Sequence, residues 1–187
     1  MTNQSIPQST VKFQGKNEYF ISGDTAEIVL YDKDGDEKCR TVIDSEDVER
    51  CAQYRWSLSG RYTVHSKYMG PSAPSMSVPL HGFLLNFKGS HKVQMDHINR
   101  DPLFNRKSNL RICTKQQNMQ NNSQGLSATG FRGVYPAQSM KGRWRSVIKH
   151  NGLLQQVGTF DSPTEAAIAW NAKALELRGE FAVLNEV

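Results

Sequence analysis

The chain is poor in the features that hold small secreted or metal-ribbon proteins together. It has three cysteines, Cys39, Cys51 and Cys113, in 187 residues. Their number is odd, they stand far apart and none forms a C-x-x-C pair, which argues against a disulfide framework and a zinc ribbon. No apolar run approaches the roughly 18 residues that cross a bilayer, and the mean hydropathy is −0.59. The opening MTNQSIPQSTVKFQG has no apolar stretch behind basic residues, so no secretory leader is expected. A reduced, soluble, cytoplasmic protein without a membrane partner is the expectation. Hydrophobic residues make up 37% and charged residues 22% of the chain, enough for a modest core in one ordinary domain or two small ones.

Acidic residues are also unevenly missing. Residues 1–60 hold 7 Lys/Arg and 11 Asp/Glu, whereas residues 61–122 hold 9 basic and only 2 acidic ones. Residues 123–160 carry five basic residues and no acidic one. A basic middle followed by a basic patch suits a polyanion such as nucleic acid. A merely solvated basic surface is the competing reading.

Along the chain, residues 1–16 are polar and expected to fray. AEIVLYDKDGDEKCRTVI (26–43) reads as two strands around an Asp34-Gly35 turn. A calcium loop starting at Asp32 fails, because the glycine comes two places early and Ile43 stands at the twelfth position. DSEDVERCAQYR (44–55) predicts a short helix capped by Asp44 or Ser45. Residues 61–85 suggest further strands ending in VPLHGFLL. VQMDHI (93–98) and NLRICT (109–114) are two strands joined by the loop NRDPLFNRKS. Thr114 and Gln117 form a capping-box pattern that starts a helix at KQQNMQ.

The stretch 121–130, NNSQGLSATG, reads as a linker between a domain over 1–120 and another over 131–187. In the second, FRGVYP, GRWRSVIKH and LLQQVGTF are strand-like. A helix follows with Ser162 as cap, Pro163 at its first position, Glu165 in the capping box and Gly179 at its end. The fold class expected is α+β.

The chemistry-bearing residues gather in 95–118. Asp96 and His97 are adjacent, Asn109 lies twelve residues after His97, and Asn118 nine after that. A strand, strand and helix in succession can bring all four around one point. A carboxylate (Asp96) and an amide oxygen (Asn118) are hard ligands for Mg²⁺ or Mn²⁺. With one formal ligand charge the ion would be labile. A histidine at neutral pH can take a proton from an attacking water, and His97 fits that role if Asn109 accepts a hydrogen bond from its other nitrogen. Neighbours in a regular strand face opposite sides, so the strand must end or twist at His97. Blander roles stay open: Asp96 as a turn cap, His97 as a packed core histidine, and Asn109 and Asn118 as turn or cap asparagines. His81 reads as structural or as a phosphate contact, and His65, His91 and His150 carry no partner signal.

DHINRDPLFNRKSNLRICTKQQNMQNN resembles the HNH endonuclease motif, in the phage and intron-encoded homing type that has Asn in place of the final His. The resemblance implies a ββα-metal fold with Asp96 and Asn118 on one divalent cation per active site, His97 as general base and Asn109 orienting it. It implies cleavage of double-stranded DNA to 5′-phosphate and 3′-hydroxyl ends, in a bacterial or phage-infected cytoplasm. The upstream IDSEDVERCAQYRW and VPLHGFLL are also similar in form, but Gly82 follows His81 where such proteins carry Arg.

Residues 131–185 resemble the AP-two domain of the plant ethylene-response-factor type, through Arg132-Gly133-Val134, Gly142-Arg143-Trp144, Gly158-Thr159-Phe160, Ala166-Ala167-Ile168-Ala169-Trp170 and Ala182-Val183-Leu184-Asn185. The resemblance implies a three-stranded antiparallel sheet packed on one helix, with the sheet in the major groove. Alternation in GRWRSVIK independently puts Arg143, Arg145, Val147 and Lys149 on one face. Arg132, Tyr135, Lys141 and Gln156 complete the expected DNA-binding set. Leu154 and Gln156 stand where the plant proteins carry Arg and Trp, so the base sequence read must differ. A site-specific homing endonuclease without an obligate protein partner is the leading expectation, and a catalytically silent DNA-binding regulator the alternative.

Overall fold

The computed structural model describes residues 9–12, 16–68, 70, 75–90, 92–121 and 125–187. It is a mixed α and β protein with several small antiparallel sheets and few helices, compatible with the α+β expectation. Among the described residues no helix is long and apolar enough to cross a membrane. The chain divides into two compact units, residues 1–113 and 114–187.

The first unit opens with a four-stranded antiparallel sheet in chain order: β1 (Ser9–Lys12), β2 (Glu18–Ser22), β3 (Thr25–Tyr31) and β4 (Glu37–Asp44). Ser9–Lys12 is therefore paired strand where fraying was expected; residues 1–8 and 13–15 lie outside the described residues. The β3–β4 turn closes on the Asp32 carboxylate, which accepts from the backbone N–H groups of Asp34 and Asp36 at 2.9 and 3.0 Å. That Asx geometry accounts for the DKDGD string without a cation. Alternate positions Ala26, Ile28 and Leu30 on β3 are buried with Tyr19 and Ile43 and form one face of the core.

After a 3₁₀ turn (Ser45–Asp47), α1 (Val48–Cys51) is only one turn long. Asp44 makes no side-chain cap bond. Its carboxylate accepts from Arg106 Nε and from the Lys107 backbone N–H, at 2.7 and 2.8 Å, so the expected cap is diverted to a long-range contact. A second antiparallel sheet orders β5 (Ser57–Ser59), β6 (Tyr62–Lys67) and β7 (Met76–Pro79). The strand expected through VPLHGFLL stops at Pro79, and Leu80–Leu84 is a helix, α2. Leu80 and Leu84 are four apart and both buried, a helical spacing that alternation had masked. Asn17, 1% exposed, ties this core together: its amide donates to the Val29 and Trp56 carbonyls and its oxygen accepts from the Trp56 N–H.

Two further strands pair, β8 (Val93–His97) and β9 (Leu110–Thr114). The loop between them docks on β4. Val42 N–H donates to the Leu103 carbonyl at 2.8 Å and Asn105 N–H to the Val42 carbonyl at 2.7 Å, a parallel bridge centred on Phe104. Ion pairs of Arg106 with Asp44 and Asp24, and of Lys107 with Glu46 and Asp47, hold the loop's far end.

The second unit begins with α3 (Lys115–Asn121). The predicted capping box is present in reciprocal form: Gln117 N–H donates to Thr114 Oγ1, and Thr114 N–H to Gln117 Oε1. Of the expected linker, residues 122–124 lie outside the described residues. β10 (Val134–Pro136), β11 (Trp144–His150) and β12 (Leu153–Phe160) form an antiparallel sheet in chain order, backed by α4 (Pro163–Arg178). Ser162 Oγ accepts from Glu165 N–H at 3.1 Å, Pro163 opens the helix and Gly179 ends it at φ 54°. Val134, Ala166 and Ala167 pack in one buried cluster, and Ile148, Trp170 and Ala174 in a second. The small side chains let helix and sheet approach closely. At Gly133 (φ +70°) a Cβ would overlap Trp170 Nε1 and the Val147 carbonyl, so only glycine fits. Trp170 Nε1 donates to that carbonyl at 3.1 Å.

Candidate active site

Asp96 and His97 are the last two residues of β8, and each is 7% exposed. The strand ends at His97 and turns through Arg100, whose φ is +68°. The termination that adjacent Asp and His side chains require is therefore present.

The tautomer of His97 follows from its neighbours. His97 Nε2 lies 3.0 Å from Asn105 Oδ1. The Asn105 amide nitrogen donates to Thr41 Oγ1 at 2.8 Å and to the Pro102 carbonyl at 3.0 Å. Thr41 Oγ1 spends its proton on the Leu103 carbonyl, at 2.8 Å, and so must accept from Asn105. Both amide hydrogens are thus committed and the oxygen faces the imidazole. Nε2 carries the ring proton and Nδ1 the lone pair. Burial pulls the His97 pKa below 6.5, against the opposing effects of the Asn105 bond and the Asp96 charge. The ring is a neutral base at neutral pH.

This arrangement revises the role expected of Asn109. Its amide donates to Asn99 Oδ1 at 2.9 Å and to the Phe104 carbonyl at 2.7 Å, and its oxygen accepts from Asn99 N–H at 3.0 Å. The Asn109 carbonyl also accepts from Ile98 N–H at 2.8 Å. Asn109 therefore cross-links the two ends of the loop, while Asn105 carries the bond to His97. Asn105 and Thr41 were missed in the sequence, because a loop asparagine and a strand threonine 64 positions away have no local pattern.

Arg111 on β9 was missed as well. Its Nε and one terminal nitrogen donate to Asp96 Oδ2 at 3.0 and 2.8 Å, a forked ion pair with both side chains about a tenth exposed or less. It fixes the orientation of the carboxylate and offsets its charge. His81 lies beside His97, ring centroids 5.3 Å apart and nearly perpendicular, with Tyr62 5.5 Å from His81 and 6.3 Å from His97. Burial, assisted by His97, pushes the His81 pKa down to about 4.

Asn118 lies on α3 and is described with the second unit; its link to Asp96 and His97 is the sequence spacing. Among the described residues no group of three or more His, Cys, Asp or Glu gathers to hold a metal ion. The expected donors, one carboxylate and one amide, are a different set, and their hard oxygens fit a loosely held Mg²⁺ or Mn²⁺.

In the second unit the outward face of the sheet carries Tyr135, Arg145, Lys149 and Gln156, all exposed. Tyr135, Arg145 and Thr159 stand side by side across the three strands, and the Arg145 guanidinium lies 5.7 Å from the Tyr135 ring. Ser146 and Ile148 point to α4 and are buried. Lys141 is exposed in the β10–β11 turn. Arg143 was expected on the open face. Its guanidinium instead binds its own chain: the Phe160 and Thr159 carbonyls at 3.2 Å each, and Asp161 at 3.0 Å. Arg132 donates to the Leu184 carbonyl, and its backbone N–H to Asn185 Oδ1.

Comparison with known proteins adds one finding. The chain is similar to an uncharacterized HNH endonuclease of Acanthamoeba polyphaga mimivirus. The two are 28% identical over 142 residues, covering 71% of this chain and 72% of that protein. No family model matches the chain.

Proposed function

We propose that the protein is an HNH-type endonuclease that hydrolyses phosphodiester bonds in double-stranded DNA, with His97 as general base. The observation that carries this reading is the held state of His97: buried, neutral and locked by Asn105 with its lone pair on Nδ1, next to Asp96. The relative named an HNH endonuclease supports it. In this reading Nδ1 takes the proton of the attacking water. Asn105 steadies the imidazolium that forms, by accepting from Nε2. Asp96 and Asn118 are the residues that would hold one divalent cation, Mg²⁺ or Mn²⁺. Such a cation, when bound, supplies positive charge at the scissile phosphate and favours departure of the 3′ oxygen, giving 5′-phosphate ends. Because Arg111 already offsets the Asp96 charge, the substrate phosphate must contribute to metal affinity.

The second unit is an AP-two-like DNA anchor in the same reading, with Tyr135, Arg145, Lys149 and Gln156 facing the duplex and Lys141 and Arg132 at its margins. A cutting module joined to an anchor suits a homing enzyme with a long target site, and one active site per chain gives a nick. The Arg111–Asp96 pair favours one alternative, a silent DNA-binding regulator whose metal ligand has been captured. Supercoiled plasmid incubated with Mg²⁺ separates them. The enzyme yields open-circular product that EDTA abolishes; binding without any nick sinks the catalytic reading.

A further inference from the structure

We propose that the second unit holds a phosphodiester-binding pocket built around Arg178, which grips a backbone phosphate of the duplex beside the base-facing strands. The pocket is an open cavity of about 580 Å³ whose walls include Lys115 and Gln116 of α3, Lys149, His150 and Asn151 at the end of β11, and Arg178 at the end of α4. No carboxylate lines it.

Arg178 is the unusual member. It is 8% exposed and forms no ion pair among the described residues. One terminal nitrogen donates to the Lys149 carbonyl at 2.9 Å, and the guanidinium lies 5.4 Å from the Trp170 ring. Its Nε is buried and bonds nothing among the described residues, and His150 Nδ1 is in the same state. A charge taken out of water without a counter-ion is costly. A cation near a helix C-terminus gains from the dipole and the carbonyl contact, but that explains one donor and leaves Nε orphaned. Burial alone also lowers the Arg178 pKa, the direction expected of a cation that lacks its anion.

What the pocket lacks is negative charge. Three basic residues, Lys115, Lys149 and Arg178, are among its lining residues, and a planar guanidinium fork matches a phosphate better than a single carboxylate. Lys149 alternates onto the same outward face as Arg145, two strand steps apart. A phosphate in the pocket therefore lies at the edge of the face that meets DNA in the reading above. That reading supplies the source of the phosphate; the pocket itself stands on its geometry.

Two measurements on the full chain test it, both in EDTA so that cleavage plays no part. Inorganic phosphate is titrated while the arginine Nε–H signals are followed by ¹H–¹⁵N NMR. A saturable shift of the Arg178 signal is expected, and its loss in the Lys115→Gln variant, which leaves the duplex-facing residues in place. Lys115 is exposed, so this variant keeps its fold where Arg178→Gln need not. Duplex affinity is then read by fluorescence anisotropy between about 50 and 200 mM salt, where each lost phosphate contact lowers the log–log slope by about 0.9. A slope lower by about one in the Lys115→Gln variant supports the pocket. An unmoved Arg178 signal or an unchanged slope overturns it. A protein that nicks plasmid but keeps its slope refutes the pocket and leaves the nuclease. One that passes both binding tests but never nicks refutes the nuclease and leaves the pocket.

Discussion

Replacing Asn105 by alanine is the sharpest perturbation of the site that leaves every proposed metal ligand in place. Asn105 is 1% exposed and takes part in three side-chain bonds: with His97 Nε2, Thr41 Oγ1 and the Pro102 carbonyl. Each bond contributes about 1 kcal/mol net, and a buried Nε2–H left without an acceptor costs about 1–3 kcal/mol. The Thr41 and Pro102 bonds and the orphaned Nε2–H together mean that Asn105→Ala should destabilise the first unit by about 3–5 kcal/mol. General-base catalysis is worth about 10²–10⁴ in rate, and an imidazole free to rotate or change tautomer should forfeit about 10–100-fold of it. Urea unfolding followed by circular dichroism gives the first quantity, and single-turnover plasmid cleavage by the folded fraction the second. Asn105→Asp sharpens the test, because a carboxylate keeps the acceptor and favours the imidazolium. In the native protein burial sets the His97 pKa below 6.5, so the acid limb of the rate profile should fall below that value. In Asn105→Asp the limb should move up. A folded Asn105→Ala with native rate, or an Asn105→Asp limb that stays put, refutes the assignment of His97 and its orienting partner.

Three other outcomes follow from the same geometry. His81, held at about 4 when folded against 6.5 when unfolded, binds fewer protons in the folded state, so its contribution is complete above pH 6.5 and is lost as pH falls toward 4. Its full size is about 3 kcal/mol; urea titrations at pH 7 and pH 4 should show a smaller acid loss in His81→Gln, and an identical loss would contradict the assignment. Arg145→Ala should weaken duplex binding by about 1–3 kcal/mol if Arg145 reads a base. Arg143→Ala, already tied to Asp161 and two carbonyls, should mainly cost stability, and anisotropy beside thermal unfolding distinguishes the two. Gly133→Ala should unfold the second unit, reported by loss of the native Trp170 fluorescence, since neither the φ of +70° nor the Trp170 contact admits a side chain.

Local chemistry made much of the fold legible. The Asp34-Gly35 hairpin, the Thr114/Gln117 box and the Ser162-Pro163…Gly179 helix each carry their signal within a few residues, and each is present. Leu80–Leu84 was misread because Pro79 switches the period from two to four in a stretch too short to show either. Asp44 lost its capping role to Arg106 and Lys107, contacts that no window of sequence contains. The site divides in the same way. The Asp96-His97 pair stands out as a dipeptide in a motif. The residues that make His97 a defined base, Asn105 and Thr41, meet only because the β8–β9 loop docks on β4. Alternation placed Arg145 and Lys149 correctly on the exposed face, but it could not foresee that Arg143, just before the strand, turns back to Asp161.

The most direct measurement is the single-turnover rate at which His97→Ala nicks supercoiled plasmid in Mg²⁺, beside the native protein and with duplex affinity determined for both. The account predicts a loss of about 10²–10⁴ in rate with affinity unchanged. Equal rates, or a loss explained wholly by weaker binding, would contradict it.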